Sequence, residues 1–183
     1  MIQTEFMRPQ RLDTIGAGES DVQVKAEPAE RTALAARFGL KAIDSLAATY
    51  RIRRDAQGIV ATGHLSARVT QACIITDEPV PAKIEEDFAI RFLPETEGNG
   101  GDDEMELSED ECDIVFYSGG AIDLGEAAAE TLALALDPYP RSANAEAALR
   151  DAGVISEEEA KRLAEESGPF GGLAALRDKL GGA

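Results

Sequence analysis

Hydrophobic and polar positions alternate along three stretches in the first half of the chain. From Leu46 to Arg54, Ala48, Tyr50 and Ile52 fall on one side and Thr49, Arg51 and Arg53 on the other. That period of two predicts a strand with one face on a core. Asp55 to Gly58 supplies turn residues, and from Ile59 the alternation resumes. Ala61, Leu65, Val69 and Cys73 point one way, and Thr62, His64, Ser66 and Arg68 the other. A long hairpin follows. A third strand, Lys83 to Leu93, directs Ile84, Phe88, Ile90 and Phe92 inward and Lys83, Glu85, Asp87 and Arg91 outward, with Glu86 the one discordant inner member. Shorter strands are predicted from Ser20 to Ala26, where Val22 and Val24 oppose Gln23 and Lys25, and from Asp113 to Tyr117. Thr4 to Ile15, mixed in polarity around Pro9, suits a first or edge strand.

Elsewhere the period lengthens. Leu124, Ala128, Leu132 and Ala135 or Leu136 recur at three- and four-residue steps, predicting a helix from about Leu124 to Leu136 with one apolar stripe. Asp123 and Glu126 have the spacing of an N-cap and its N3 partner. Pro138 and Pro140 end the helix, and the stiff DPYPR exit delivers Tyr139 and Arg141 to a fixed place. A short helix is expected over Ala29 to Phe38, opened by Pro28 and closed by Gly39. Two more are expected over Ala143 to Ala152 and Ser156 to Glu166, the latter with a Ser156/Glu159 capping box. The fold class is therefore α+β: a curved, mostly antiparallel sheet covered by one main helix, with a small second helix and a helical tail. Residues 1–141 form the domain and 142–183 the tail.

Charge changes the picture because it is segregated. The chain has 183 residues and a net charge of −17. Residues 1–92 carry a net of −1 and residues 93–183 a net of −16. Glu95 to Asp113 alone holds ten acids and no base, together with Gly98, Gly100 and Gly101, a composition expected of a flexible acidic loop. An anionic half repels polyphosphate at long range and attracts a cationic partner.

Candidate chemistry is sparse. A nucleophile, histidine and acid triad could use only His64, which falls on a polar strand face without an elbow-type turn. Gly119 and Gly120 lack the lysine and further glycine of a phosphate cradle. The acidic stretch lacks the ligand alternation of a calcium loop. Cys73 and Cys112 are too few for a disulfide scaffold. No apolar run reaches membrane-spanning length and no secretory pattern opens the chain, so a cytoplasmic protein without catalytic residues, cofactor or metal is expected.

CIITDEPV from Cys73 to Val80, then IDLGE and LALALDPYPR, then Pro169-Phe170 and LAAL from Leu173, together resemble the YceD-like family, most closely its alphaproteobacterial branch. These are small bacterial and plastid proteins associated with accumulation of large-subunit ribosomal RNA. The resemblance covers about residues 40 to 141 and the tail. It implies a non-enzymatic factor in large-subunit ribosome biogenesis, with no small-molecule substrate and no membrane. Many relatives carry two cysteines at the end of this strand. Here Cys73 matches the first and Thr76 replaces the second, which argues against a zinc knuckle, since structural zinc takes four nitrogen or sulfur ligands. Cys73 then reads as a small buried hydrophobe.

Two partner classes remain, a basic large-subunit ribosomal protein and pre-ribosomal RNA. For RNA the candidates are Arg51, Arg53, Arg54, Arg68 and Arg91, a basic patch on the outer strand faces that Glu85 and Asp87 could instead neutralise. For a protein partner they are Tyr139 and Arg141 at the helix exit and Phe170, Leu173 and Leu176 in the tail. The charge segregation favours the protein.

Overall fold

The computed structural model describes residues 5–95 and 113–167. The acidic stretch at 96–112 and the tail residues Phe170, Leu173 and Leu176 lie outside the described residues. The fold is mixed α/β, built on a five-stranded, mostly antiparallel sheet.

The chain opens with β1 (Pro9–Arg11) and a single 3-10 turn (Leu12–Thr14), then β2 (Ser20–Lys25) and α1 (Pro28–Phe38). Proline at the first helical position costs no hydrogen bond, and Gly39 closes α1 in the left-handed conformation at φ +64°. Glu27 and Glu30 form a reciprocal capping box at its start.

The long strands β3 (Ala42–Arg54), β4 (Ile59–Ala72) and β5 (Pro79–Pro94) follow, and β6 (Asp113–Tyr117) completes the sheet in the order β2-β3-β4-β5-β6. Only the β5–β6 pair is parallel. The predicted alternation holds: Ala48, Tyr50, Ile52, Ala61, Leu65, Val69, Ile84, Ile90 and Phe92 are buried in one core. Glu86, opposite Leu65, is exposed, so the inner face is open to water at that position. On this face Tyr50, Gly63 and Phe88 sit in one row, and the two rings meet at 5.0 Å. A Cβ on Gly63 would run into the Thr49 carbonyl and lie 2.6 Å from the Phe88 ring, so the row admits only glycine there.

The stretch around Pro9 is a strand, but not of the main sheet. β1 pairs with β7 (Ala121–Asp123) as a separate two-stranded ribbon, because the Arg8 carbonyl accepts from Leu124 N and the Asp123 carboxylate from Arg8 N.

The principal helix, α2 (Leu124–Ala135), buries Leu124, Ala128 and Leu132 as its stripe predicts. Asp123 caps it, accepting from Gly125 N and Glu126 N. The reciprocal half of the expected capping box is missing, because the Glu126 carboxylate turns to Arg37 at 2.6 Å. α1 lies against β3, and α2 against β4 and β5. The buried Tyr50 hydroxyl donates to the Leu124 carbonyl at 2.7 Å, tying sheet to helix. α3 (Ala145–Asp151) and α4 (Glu157–Ser167) follow. α4 opens on the Ser156/Glu159 capping box.

Candidate functional site

Because side chains alternate, the residues opposite the core form a second, solvent-facing surface of the same sheet. Register fixes its rows. Asp21, Arg51, Thr62 and Ala89 make one; Gln23, Thr49, His64 and Asp87 the next; Lys25, Ala47, Ser66 and Glu85 the third; Ser45, Arg68 and Lys83 the fourth.

Of the five candidate RNA-contacting arginines, Arg51, Arg53, Arg68 and Arg91 fall on this face, whereas Arg54 stands in the row of the buried Ile59 and Phe92, and all but Arg68 have partners. Arg51 stands 3.7 Å from Glu19 and 3.9 Å from Asp21. Arg53 is 3.6 Å from Asp55, and Arg91 binds the same carboxylate at 3.1 Å with little exposure of its own. Arg54 donates to the Ile15 and Leu12 carbonyls at 3.2 and 2.6 Å, so it braces the segment after β1. The Arg68 side chain has no hydrogen bond or ion pair among the described residues, and its cross-strand neighbour is Lys83.

Glu85 and Asp87, which could have neutralised the arginines, do not. Asp87 accepts from one nitrogen of His64 at 2.7 Å and Glu85 meets the other at 2.8 Å. These carboxylates, Asp87 first, raise the histidine above its usual value. Lys83, at 2.8 Å, and then His64 hold Glu85 down to about 2. His64 is thus a clasp between two acids, both ring nitrogens being taken by carboxylates, while the neighbouring Ser66 hydroxyl donates to Glu85.

At the far end of β4, Cys73 opens a closed loop. Cys73 N bonds the Glu78 carbonyl at 2.8 Å, Asp77 N bonds the Cys73 carbonyl at 2.9 Å, and Asp77 adopts φ +58°. The thiol is buried, which pushes it up, but hydrogen bonds from Thr76, Ser142 and the Ile75 backbone outweigh burial and bring it down to about 6. It therefore serves as more than a small hydrophobe: Sγ accepts Thr76 N at 3.4 Å and organises the turn. Thr76 hydrogen-bonds Glu78 and Ser142 through its hydroxyl. No group of three or more His, Cys, Asp or Glu side chains placed to hold a metal occurs among the described residues.

The loop meets the exit of α2. Ile74 N donates to the Pro140 carbonyl at 3.0 Å and Asn144 to Glu78 at 2.8 Å, so the DPYPR segment is tied to the Cys73 turn. Tyr139 projects into solvent, 68% exposed. Arg141 is also exposed, and borders the groove between α3 and α4 lined by Leu149, Val154 and Ile155. Sequence periodicity missed Leu134, which lies off the buried stripe and is 80% exposed, and Ile74, half exposed in the turn. The consecutive isoleucines of CIIT, flanked by turn residues, were the available signal.

The family model for large ribosomal RNA subunit accumulation protein YceD matches residues 61–177. The chain belongs to the YceD family. The match runs from β4 through the Cys73 loop and α2 into the tail, so every surface described above except β2 and the first half of the hairpin falls within the family's span. Neither a curated protein nor a solved structure matches the chain. No helix among the described residues is long and apolar enough to cross a membrane. The family assigns the chain a role in accumulation of the large ribosomal RNA subunit.

Proposed function

We propose that the chain supports large-subunit ribosomal RNA accumulation without catalysis, by binding a basic ribosomal protein in the cytoplasm. The observation that carries this reading is the asymmetry of charge. In the sheet half, cations and acids are nearly equal in number and mostly joined to one another, while the second half retains a net of −16. A surface with surplus carboxylates steers a cationic polypeptide towards itself and disfavours bare phosphate. Holding such a protein would keep it from non-specific RNA until the correct RNA is available. The test is capture of partners on the full chain from lysate, with and without ribonuclease. Ribosomal proteins retained after RNA digestion support the reading, and loss of every partner on digestion would sink it.

A second reading, RNA contact through the outer sheet face, is favoured by the Arg68 side chain, which has no ion pair among the described residues and whose cross-strand neighbour is a lysine already held by Glu85. Replacing Arg51, Arg53 and Arg68 together with glutamate should lower ribosomal RNA levels if this reading is right and leave them unchanged if it is not.

A further inference from the structure

The exit of α2 leaves an end of the molecule that is apolar and rich in hydrogen-bond acceptors. Pro138 and Pro140 carry no N–H, and Tyr139 N is used by the Asp137 side chain at 2.9 Å. None of these three residues therefore offers a donor to the last turn. The carbonyls of Ala133, Leu134 and Ala135 accept no hydrogen bond among the described residues, and the last turn contains no basic residue. The negative end of the helix dipole is left uncompensated.

Beside this end runs a groove walled by Phe38, Leu40, Leu134, Leu136 and Pro138, with Gln71 also in its lining. Gln71 is the one buried amide or charged side chain among the described residues, at 7% exposure. Its Nε2 donates to the Asp137 carbonyl at 2.8 Å, while its Oε1 has no partner among the described residues. The wall and its surroundings expose large hydrophobics, Leu134 and Tyr139 above all. An isolated exposed leucine is ordinary, but here exposure coincides with a groove whose lining also carries the Gln71 amide oxygen, the Ala133 and Leu134 carbonyls and the Asp137 carboxylate.

One kind of side chain satisfies both features. Lysine and arginine lay a long aliphatic stem on apolar walls and carry only donors at the head. We infer that this groove receives a lysine or arginine, together with a neighbouring apolar residue, from a cationic partner polypeptide, its head meeting the open Gln71 oxygen or the last α2 carbonyls. This rests on the reading of the chain as a holder of a basic protein and names where that protein is gripped. The net charge of −17 brings such a partner close, and the groove then distinguishes an apolar-flanked cation from a merely basic chain.

The test uses the full chain and three short fluorescent peptides, mixing lysine with leucine, lysine with serine, and glutamate with leucine. The lysine–leucine peptide should bind at least about tenfold tighter than either other, and Leu134→Lys should weaken it by about tenfold, while Glu157→Lys on α4 changes it less than twofold. Leu134 is so exposed that its replacement leaves the fold intact, which the circular dichroism spectrum checks. If the lysine–leucine peptide binds but ignores Leu134→Lys, the groove assignment is overturned and the broader reading stands. If no lysine peptide binds, both fall. Equal binding of the glutamate–leucine peptide would show an apolar patch without cation selection and overturn the assignment. So would a tenfold gain in affinity on Leu176→Asp, which would mean that the chain's own residues 168–183 fill the groove.

Discussion

The two faces of the sheet differ by a single residue step and obey different physics. Inside, Tyr50, Gly63 and Phe88 form a row in which volume decides everything: the missing side chain of Gly63 is what lets the rings meet at 5.0 Å. One step along each strand, Thr49, His64 and Asp87 form a row in which volume is free and charge decides. The inner row is rigid because close-packed atoms leave no alternative arrangement. The outer row is held by ion pairs that water and salt weaken. Stability therefore resides on one face, and adjustable charge on the other.

The sharpest way to break this contrast is Gly63→Val. The new side chain has no space against the Thr49 carbonyl and the Phe88 ring, so a loss of about 3 kcal/mol or more is expected, read as a large fall in the denaturant midpoint. Tyr50→Phe keeps the ring and removes the hydroxyl that ties β3 to the Leu124 carbonyl at the head of α2. About 1 to 2 kcal/mol should be lost, and hydrogen exchange at the start of α2 should speed up.

Outer-face changes should be smaller and should depend on pH. The folded pKa of His64 is raised, by Asp87 and then Glu85, so its contribution is full below its ordinary value of 6.5 and disappears as pH rises through the raised value. Glu85 is lowered from 4.5 to about 2, chiefly by Lys83. Its contribution is therefore present above 4.5 and is lost as pH falls towards 2. Both act together between the two ordinary values. His64→Gln should accordingly lower the melting temperature more at pH 5.5 than at pH 9, and equal losses at the two pH values would contradict the clasp. Smallest of all, Arg51→Ala breaks two long contacts at an exposed site and should change stability by no more than about 0.5 kcal/mol.

What could be read from the sequence follows the same division. Period-two and period-3.6 patterns located β2 to β6, α1 and α2 because burial imposes them on each segment separately. The fate of each arginine was not legible. Arg51 finds Glu19 and Asp21 from β2, and Arg91 finds Asp55 from the hairpin turn. These pairings depend on register between strands, which leaves no period in one strand. Register also set His64 opposite Asp87, and so removed the acids expected to answer the arginines. The β1–β7 ribbon was hidden for a related reason, since its partners are more than a hundred positions apart. At the groove, the prolines were visible as a helix stop, but their effect on the α2 carbonyls emerged only with Gln71 and Leu134 placed beside them.

The staple at the head of α2 bears on synthesis. Arg8 N reaches Asp123 across 115 positions of chain, and the Phe6 backbone presses on Gly125 so closely that no Cβ fits. At roughly 5 to 20 residues per second of translation, Arg8 N waits about 6 to 23 seconds for Asp123 to be made. Until then the central hairpin can form, but its protein cannot close. A nascent chain stalled before Asp123 holds its amino-terminal segment only by the ion pairs of Arg8 with Glu30 and of Glu5 with Arg37.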